Sequence, residues 1–114
     1  MYEQPQVQNP SNNLIGLSDL PKNGTVQDVT ELFNTLHVHG SKINGAVLVS
    51  FCKKLQSELA CTRLLENVSQ YLVPITGTEL FDIVKSIIYV NAQVLAGKNL
   101  ARLVTPALTE IEKN

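Results

Sequence analysis

Between residues 79 and 93 the polar positions fall at Glu79, Asp82, Ser86, Tyr89 and Gln93, in steps of three, four, three and four. Lys85 widens this stripe. Most residues between are apolar, from Leu80, Phe81, Ile83 and Val84 through Ile87, Ile88 and Val90 to Val94 and Leu95. A helix is the regular structure that gathers such spacing on one face. A narrow polar stripe on a mostly apolar helix implies that the helix is deeply packed. The pattern predicts one helix over 77–96. A Thr76–Glu79 capping box opens it, Gly97 stops it, and Lys98 stands at its negative end.

Other segments carry weaker signals of the same kind. Thr25 is placed to cap a first helix over 25–37, with Val26, Val29, Leu32, Phe33 and Leu36 on its apolar side. Asp28 and Glu31 suit its positive end, and the helix frays through His37 and His39 into Gly40. Asn44 or Ser41 can start a second helix over 44–59, with Leu48, Phe51, Cys52, Leu55 and Leu59 as its apolar stripe. Beyond residue 60 the stripe moves to Cys61, Leu64, Leu65, Val68 and Leu72, roughly opposite the earlier one at about 100° per residue. Either the chain breaks near Ala60 to Thr62, or one long helix is packed on two sides. The first case gives a separate helix over 61–73, ended by Pro74. Asn99 can cap a last helix over 99–112, with Pro106 inside that span. Residues 1–13 are polar and interrupted by prolines, and are expected to form a mobile arm before a single helical domain, 14–114. No internal repeat is evident in the sequence.

Composition narrows the functions open to such a chain. Its 114 residues suffice for one domain with its own core. Charged residues make up 17%, below the quarter or so usual in soluble domains, so part of the surface is a candidate for cover by a partner or a second copy. Net charge is −1 and the cations are scattered, which disfavours tight binding to nucleic acid through its backbone. No apolar run is long enough to span a membrane, because Asp82 and Lys85 interrupt the best candidate. No leader segment is expected in the polar first dozen residues. Cys52 and Cys61 fit neither zinc spacing nor a disulfide framework. They are expected to be small core residues in the cytoplasm or another reducing intracellular compartment.

The sequence offers little chemistry. His37 and His39 form an i, i+2 pair without a nearby third ligand, and a solvated helix end accounts for them. Glu110 and Glu112 stand near the tail and are expected to be solvated. No phosphate-binding loop and no local nucleophile–base signature occurs. The expectation is a protein that is not an enzyme, with no catalytic, cofactor-binding or metal site.

One resemblance points elsewhere. Residues 17–33, LSDLPKNGTVQDVTELF, resemble the first strand and first helix of an RNA recognition motif, with Thr25, Asp28, Leu32 and Phe33 at the family's spacing. NGAVLVSF over 44–51 resembles its third strand, SELACTRLLE its second helix, and ITGTEL followed by SIIYV the approach to its last strand. The resemblance implies an α+β domain over 14–90 with strands at 14–20 and 46–51. Gly16, Ala46 and Leu48 stand where that family stacks bases on aromatic rings, so it implies a variant that binds protein rather than one that reads bases.

Helical periodicity covers more of the chain than this resemblance does. The principal expectation is an all-α fold, a compact bundle of four to five amphipathic helices. Its expected role is non-catalytic protein–protein interaction or assembly, the expected partner being a protein or a second copy of the chain. The interaction face is expected at Leu64, Leu65, Val68, Ile88 and Leu95.

Overall fold

The computed structural model describes residues 13–105. Its architecture is the expected all-α one. Five helices follow in order: α1 Val26–His39, α2 Gly45–Cys52, α3 Glu58–Asn67, α4 Gly77–Lys85 and α5 Val90–Leu100. One-turn 3-10 segments stand at Leu17–Asp19, Val68–Gln70 and Ala101–Leu103. Among the described residues, extended backbone pairs only in isolated parallel bridges. Residues 1–12 of the expected arm and 106–112 of the expected last helix lie outside the described residues. Within them no helix starts at Asn99, which lies inside α5 and donates to the Leu65 carbonyl, and the chain passes from Leu100 into the 3-10 turn Ala101–Leu103.

The helix starts follow local chemistry. Thr25 accepts the Asp28 amide at 3.1 Å, and the Asp28 carboxylate accepts the Thr25 amide at 3.1 Å. Asn44 and Ser57 accept the amides of Val47 and Ala60 at 2.9 and 3.1 Å. Thr76 and Glu79 form the expected capping box, with bonds of 3.0 and 2.9 Å. Helix α1 ends on Gly40 in the left-handed region at φ 60°, and the Ser41 amide donates back to the Leu36 carbonyl at 2.9 Å.

Three expectations are corrected. First, residues 77–96 are two helices, not one. The chain leaves the helix at Ser86 and re-enters at Val90. The polar stripe is made partly of the groups that stabilise this turn. Ser86 Oγ donates to the Ile83 carbonyl at 2.7 Å, and Gln93 Nε2 donates to the Ile87 carbonyl at 2.7 Å. Gly97 stops nothing and lies inside α5. Second, the break expected near Ala60–Thr62 comes earlier, over 53–57, and α3 runs unbroken through those residues. Third, residues 46–51, expected as a strand under the recognition-motif resemblance, are helix α2, and 14–20 hold one bridge and a 3-10 turn. Val47, Leu48, Phe51 and Cys52 reach the core from a helix, so that α+β layout is not this fold.

The structure also contains a repeat. Thr25, Ser57 and Tyr89 stand at the N-caps of α1, α3 and α5, 32 residues apart, and Asn44 and Thr76 cap α2 and α4 at the same spacing. Bridges close each unit from its first extended residue to its last: Leu14 to Lys42, Ile43 to Leu72, and Ile75 to Val104. The two later closures match bond for bond. Ile43 donates to Tyr71 and accepts from Val73 at 2.8 and 3.0 Å, while Ile75 donates to Leu103 and accepts from Thr105 at 3.0 and 2.7 Å. The units are thus 14–42, 43–72 and 75–104, with the 3-10 turn Leu17–Asp19 standing in the first where α2 and α4 stand in the others.

The five helices stack in register. Helix α2 packs on α4, and α3 packs between α1 and α5. Leu32, Leu64 and Ala96 are buried at matching positions, as are Leu36, Val68 and Leu100. Identity between the two full units is sparse, as at Ile43 and Ile75, Gly45 and Gly77, or Ala60 and Ala92. What repeats is burial and capping, which different residue types satisfy. The middle unit is enclosed on both sides: α3 buries Ala60, Cys61, Leu64 and Leu65, and the 3-10 turn after it buries Val68, whereas α5 buries Ala92, Ala96 and Leu100.

Candidate interaction surface

The structure divides the expected face. Leu64, Leu65 and Val68 are fully buried in the chain's own core and present no surface to a partner. Leu95 is half-buried against that core. Ile88 stands apart at 78% exposed. The second apolar stripe of residues 61–72 is filled within the chain, by the units on either side.

Contacts between the second and third units define what each unit presents to the next. Val49 of α2 and Lys53, just after it, face Asp82, Lys85 and Ser86 across a cleft of about 290 Å³. The Tyr89 hydroxyl donates to the Gln56 carbonyl at 3.4 Å, and Asn91 Nδ2 donates to the Glu58 carboxylate at 3.2 Å. Asn99 Nδ2 donates to the Leu65 carbonyl at 3.0 Å, and the Arg102 guanidinium donates to Ser69 Oγ at 3.1 Å. The seam therefore joins an apolar interior to a polar border.

Thirty-two residues further on, the matching positions of the third unit look outward from the stack. Phe81 stands for Val49, Ile88 for Gln56, Val90 for Glu58 and Ala101 for Ser69. Phe81, Ile88 and Val90 are 60%, 78% and 70% exposed, and Val94, one helical turn beyond Val90, is 64% exposed. Of the side chains that bond across the seam, Glu58 and Ser69 are thus matched by the apolar Val90 and Ala101. The end of a repeat stack normally carries a polar outer face to stay soluble. A lysine offers partial cover: Lys85 Nζ lies 5.3 Å from the Phe81 ring centroid.

Periodicity could not single out Phe81, Val90 and Val94. In one long helix they read as core positions; in the structure they lie on two separate helices, α4 and α5, and are 60%, 70% and 64% exposed.

The remaining polar features have limited chemistry. Ser86 in the 290 Å³ cleft already donates its hydroxyl to the Ile83 carbonyl. Cys52 and Cys61 are buried free thiols. Burial pushes the Cys52 thiol up to about 12, with the nearby Cys61 adding to the shift and a hydrogen bond with Ser86 opposing it. Burial also raises Cys61, helped by the negative charge of Glu58. Both are therefore poor nucleophiles at neutral pH. His37 and His39 are exposed at the end of α1, in its last turn. Among the described residues, no three His, Cys, Asp or Glu side chains gather as a metal site requires, and no helix is long and apolar enough to cross a membrane.

The described residues form a short stack of helical units, the third of which exposes Phe81, Ile88, Val90 and Val94. Compared with known proteins, the chain matches no family model, no curated protein and no solved structure.

Proposed function

We propose that this protein is a non-catalytic interaction and assembly module that works by self-association, in a reducing compartment. The observation that carries this reading is the exposed apolar end of the third unit, formed by Phe81, Ile88, Val90 and Val94. Contiguous exposed apolar surface of this kind favours burial against another protein. The low charge content acts in the same direction, because little electrostatic repulsion opposes association. Two buried free thiols suit a reducing compartment.

The test is the mass of the full chain by sedimentation equilibrium over a wide concentration range. The expected result is a mass above the 12.5 kDa monomer that Ile88→Lys or Val94→Lys returns to the monomer without lowering the stability of the monomer itself. A monomer at every concentration overturns the self-association reading.

A further inference from the structure

We infer that the segment 106–112 begins a fourth unit and docks on the start of α4, with the Glu112 carboxylate seated over Gly77. The occupant of this surface is the chain's own C-terminal segment. The inference goes beyond self-association and does not rest on it. Three observations lead there.

The first is how the chain leaves the third unit. Val73 donates to the Ile43 carbonyl at 3.0 Å, Pro74 follows, and Thr76 then caps α4. Thirty-two residues on, Thr105 donates to the Ile75 carbonyl at 2.7 Å and Pro106 follows. The backbone at residue 105 is thus anchored as the backbone at residue 73 is, and in each case a proline without an N–H ends the pairing.

The second is the sequence that comes next. Helix α4 starts on Ile75-Thr76-Gly77-Thr78-Glu79, an apolar residue, a capping threonine and a glutamate that returns to the cap amide. Leu108-Thr109-Glu110-Ile111-Glu112 repeats this pattern, one residue further from its proline. Glu110 and Glu112 fall where the positive end of such a helix favours carboxylates.

The third is a pair of glycines. Gly45, at the start of α2, is buried under Glu79: a Cβ there would stand 2.8 Å from the Glu79 carboxyl carbon. Gly77 is its counterpart at the start of α4. Gly77 is exposed, and among the described residues a Cβ there would meet nothing within 4 Å. A glycine in a helix is less favourable than alanine, so its presence in an open position suits a close neighbour. In the register of the repeat that neighbour is Glu112, placed over Gly77 as Glu79 is over Gly45. The docked residues match 75–79, whereas Asp82, Lys85 and Ser86, which face Val49, lie later in α4. Docking therefore leaves Phe81, Ile88, Val90 and Val94 exposed, and the two proposals fail separately.

The test is NMR of the full chain, with Ile88→Lys added if it self-associates, together with thermal unfolding. The expected spectrum has helical Cα shifts over 110–112 and a nuclear Overhauser contact between the Gly77 α-protons and the Glu112 side chain. Thr109→Ala is expected to remove both signals. Gly77→Ala is expected to lower Tm in the parent, and to raise it or leave it unchanged when Glu112→Ala is also present. Random-coil shifts over 110–112, helical shifts without the Gly77 contact, or the same change in Tm on Gly77→Ala with and without Glu112 each overturn the inference.

Discussion

Gly24 and Leu55 lie side by side in a single parallel bridge, so close that no side chain fits between them. The Gln56 amide donates to the Gly24 carbonyl at 3.0 Å. A Cβ added to Gly24 would overlap the Lys54 carbonyl and the Leu55 Cα. This bridge ties the turn before α1 to the turn before α3, and so joins the first unit to the second.

Gly24→Ala should therefore be costly. The obstructing atoms are backbone, which cannot rotate away as a side chain could. The expected loss is about 2 kcal/mol or more, near the upper part of the overpacking range. Urea unfolding of the variant and the parent measures it; a change under about 0.5 kcal/mol would show that the two turns separate without cost.

Leu64 and Ile88 should respond oppositely to truncation. Leu64 is fully buried in α3 between two other helices, so Leu64→Ala is expected to cost about 2–5 kcal/mol. Ile88 is 78% exposed, and Ile88→Ala should change monomer stability by less than about 0.5 kcal/mol. Denaturant unfolding at concentrations where the chain is monomeric separates the two. Equal losses would contradict the placement of these residues.

The α4 capping box gives a third prediction. Thr76→Ala removes the acceptor for the Glu79 amide, while the bond from the residue-76 amide to the Glu79 carboxylate remains. The expected cost is about 1 kcal/mol. A Cβ built on Gly45 would lie 2.8 Å from the Glu79 carboxyl carbon. Gly45→Ala should therefore disturb the same cap, and the two substitutions should cost less together than the sum of their separate effects. A double-mutant cycle by urea unfolding tests this, and strict additivity would separate Gly45 from the cap.

The pH dependence follows from Cys52. In the folded chain burial keeps its thiol protonated up to about 12. An unfolded cysteine releases its proton near about 8.5. Between those values the folded state binds more protons than the unfolded one, so stability falls as pH rises. The contribution is complete below the unfolded value. The prediction is a decline in Tm above about pH 8.5 that is shallower in Cys52→Ala. Parallel slopes in the two proteins would show that Cys52 is not the group responsible.

Much of the local structure was legible from short-range chemistry. Thr25, Asn44 and Thr76 cap the helices their spacing predicts, because a cap is decided within four residues. The boundaries within the apolar stretches were not. Ser86 and Gln93 have the period of a solvated stripe, yet they bond backbone carbonyls freed where the helix stops. Periodicity reports which residues share a face on an assumed continuous helix; it does not report where the chain turns. The same error put Leu64, Leu65 and Val68 on an outer surface. Their second apolar face was correctly seen as partnered, but the partners are other units of the same chain.

The sequence by itself determined the all-α class, the caps at Thr25, Asn44 and Thr76 and most of the core, because these depend on residue type and on spacing of three and four. It placed a cap at Asn99 that the fold does not use and missed the one at Ser57. The tertiary structure decided the rest. Residues far apart in sequence had to be placed side by side before the equivalence of Ile43 with Ile75, or of Gln56 with Ile88, became visible. Repeated units share burial and backbone bonding more than residue identity, since a core position accepts many apolar side chains while a bridge uses only backbone atoms. Which apolar residues among those described are left outside depends on how the units stack, and that is a property of the assembled units rather than of any one helix.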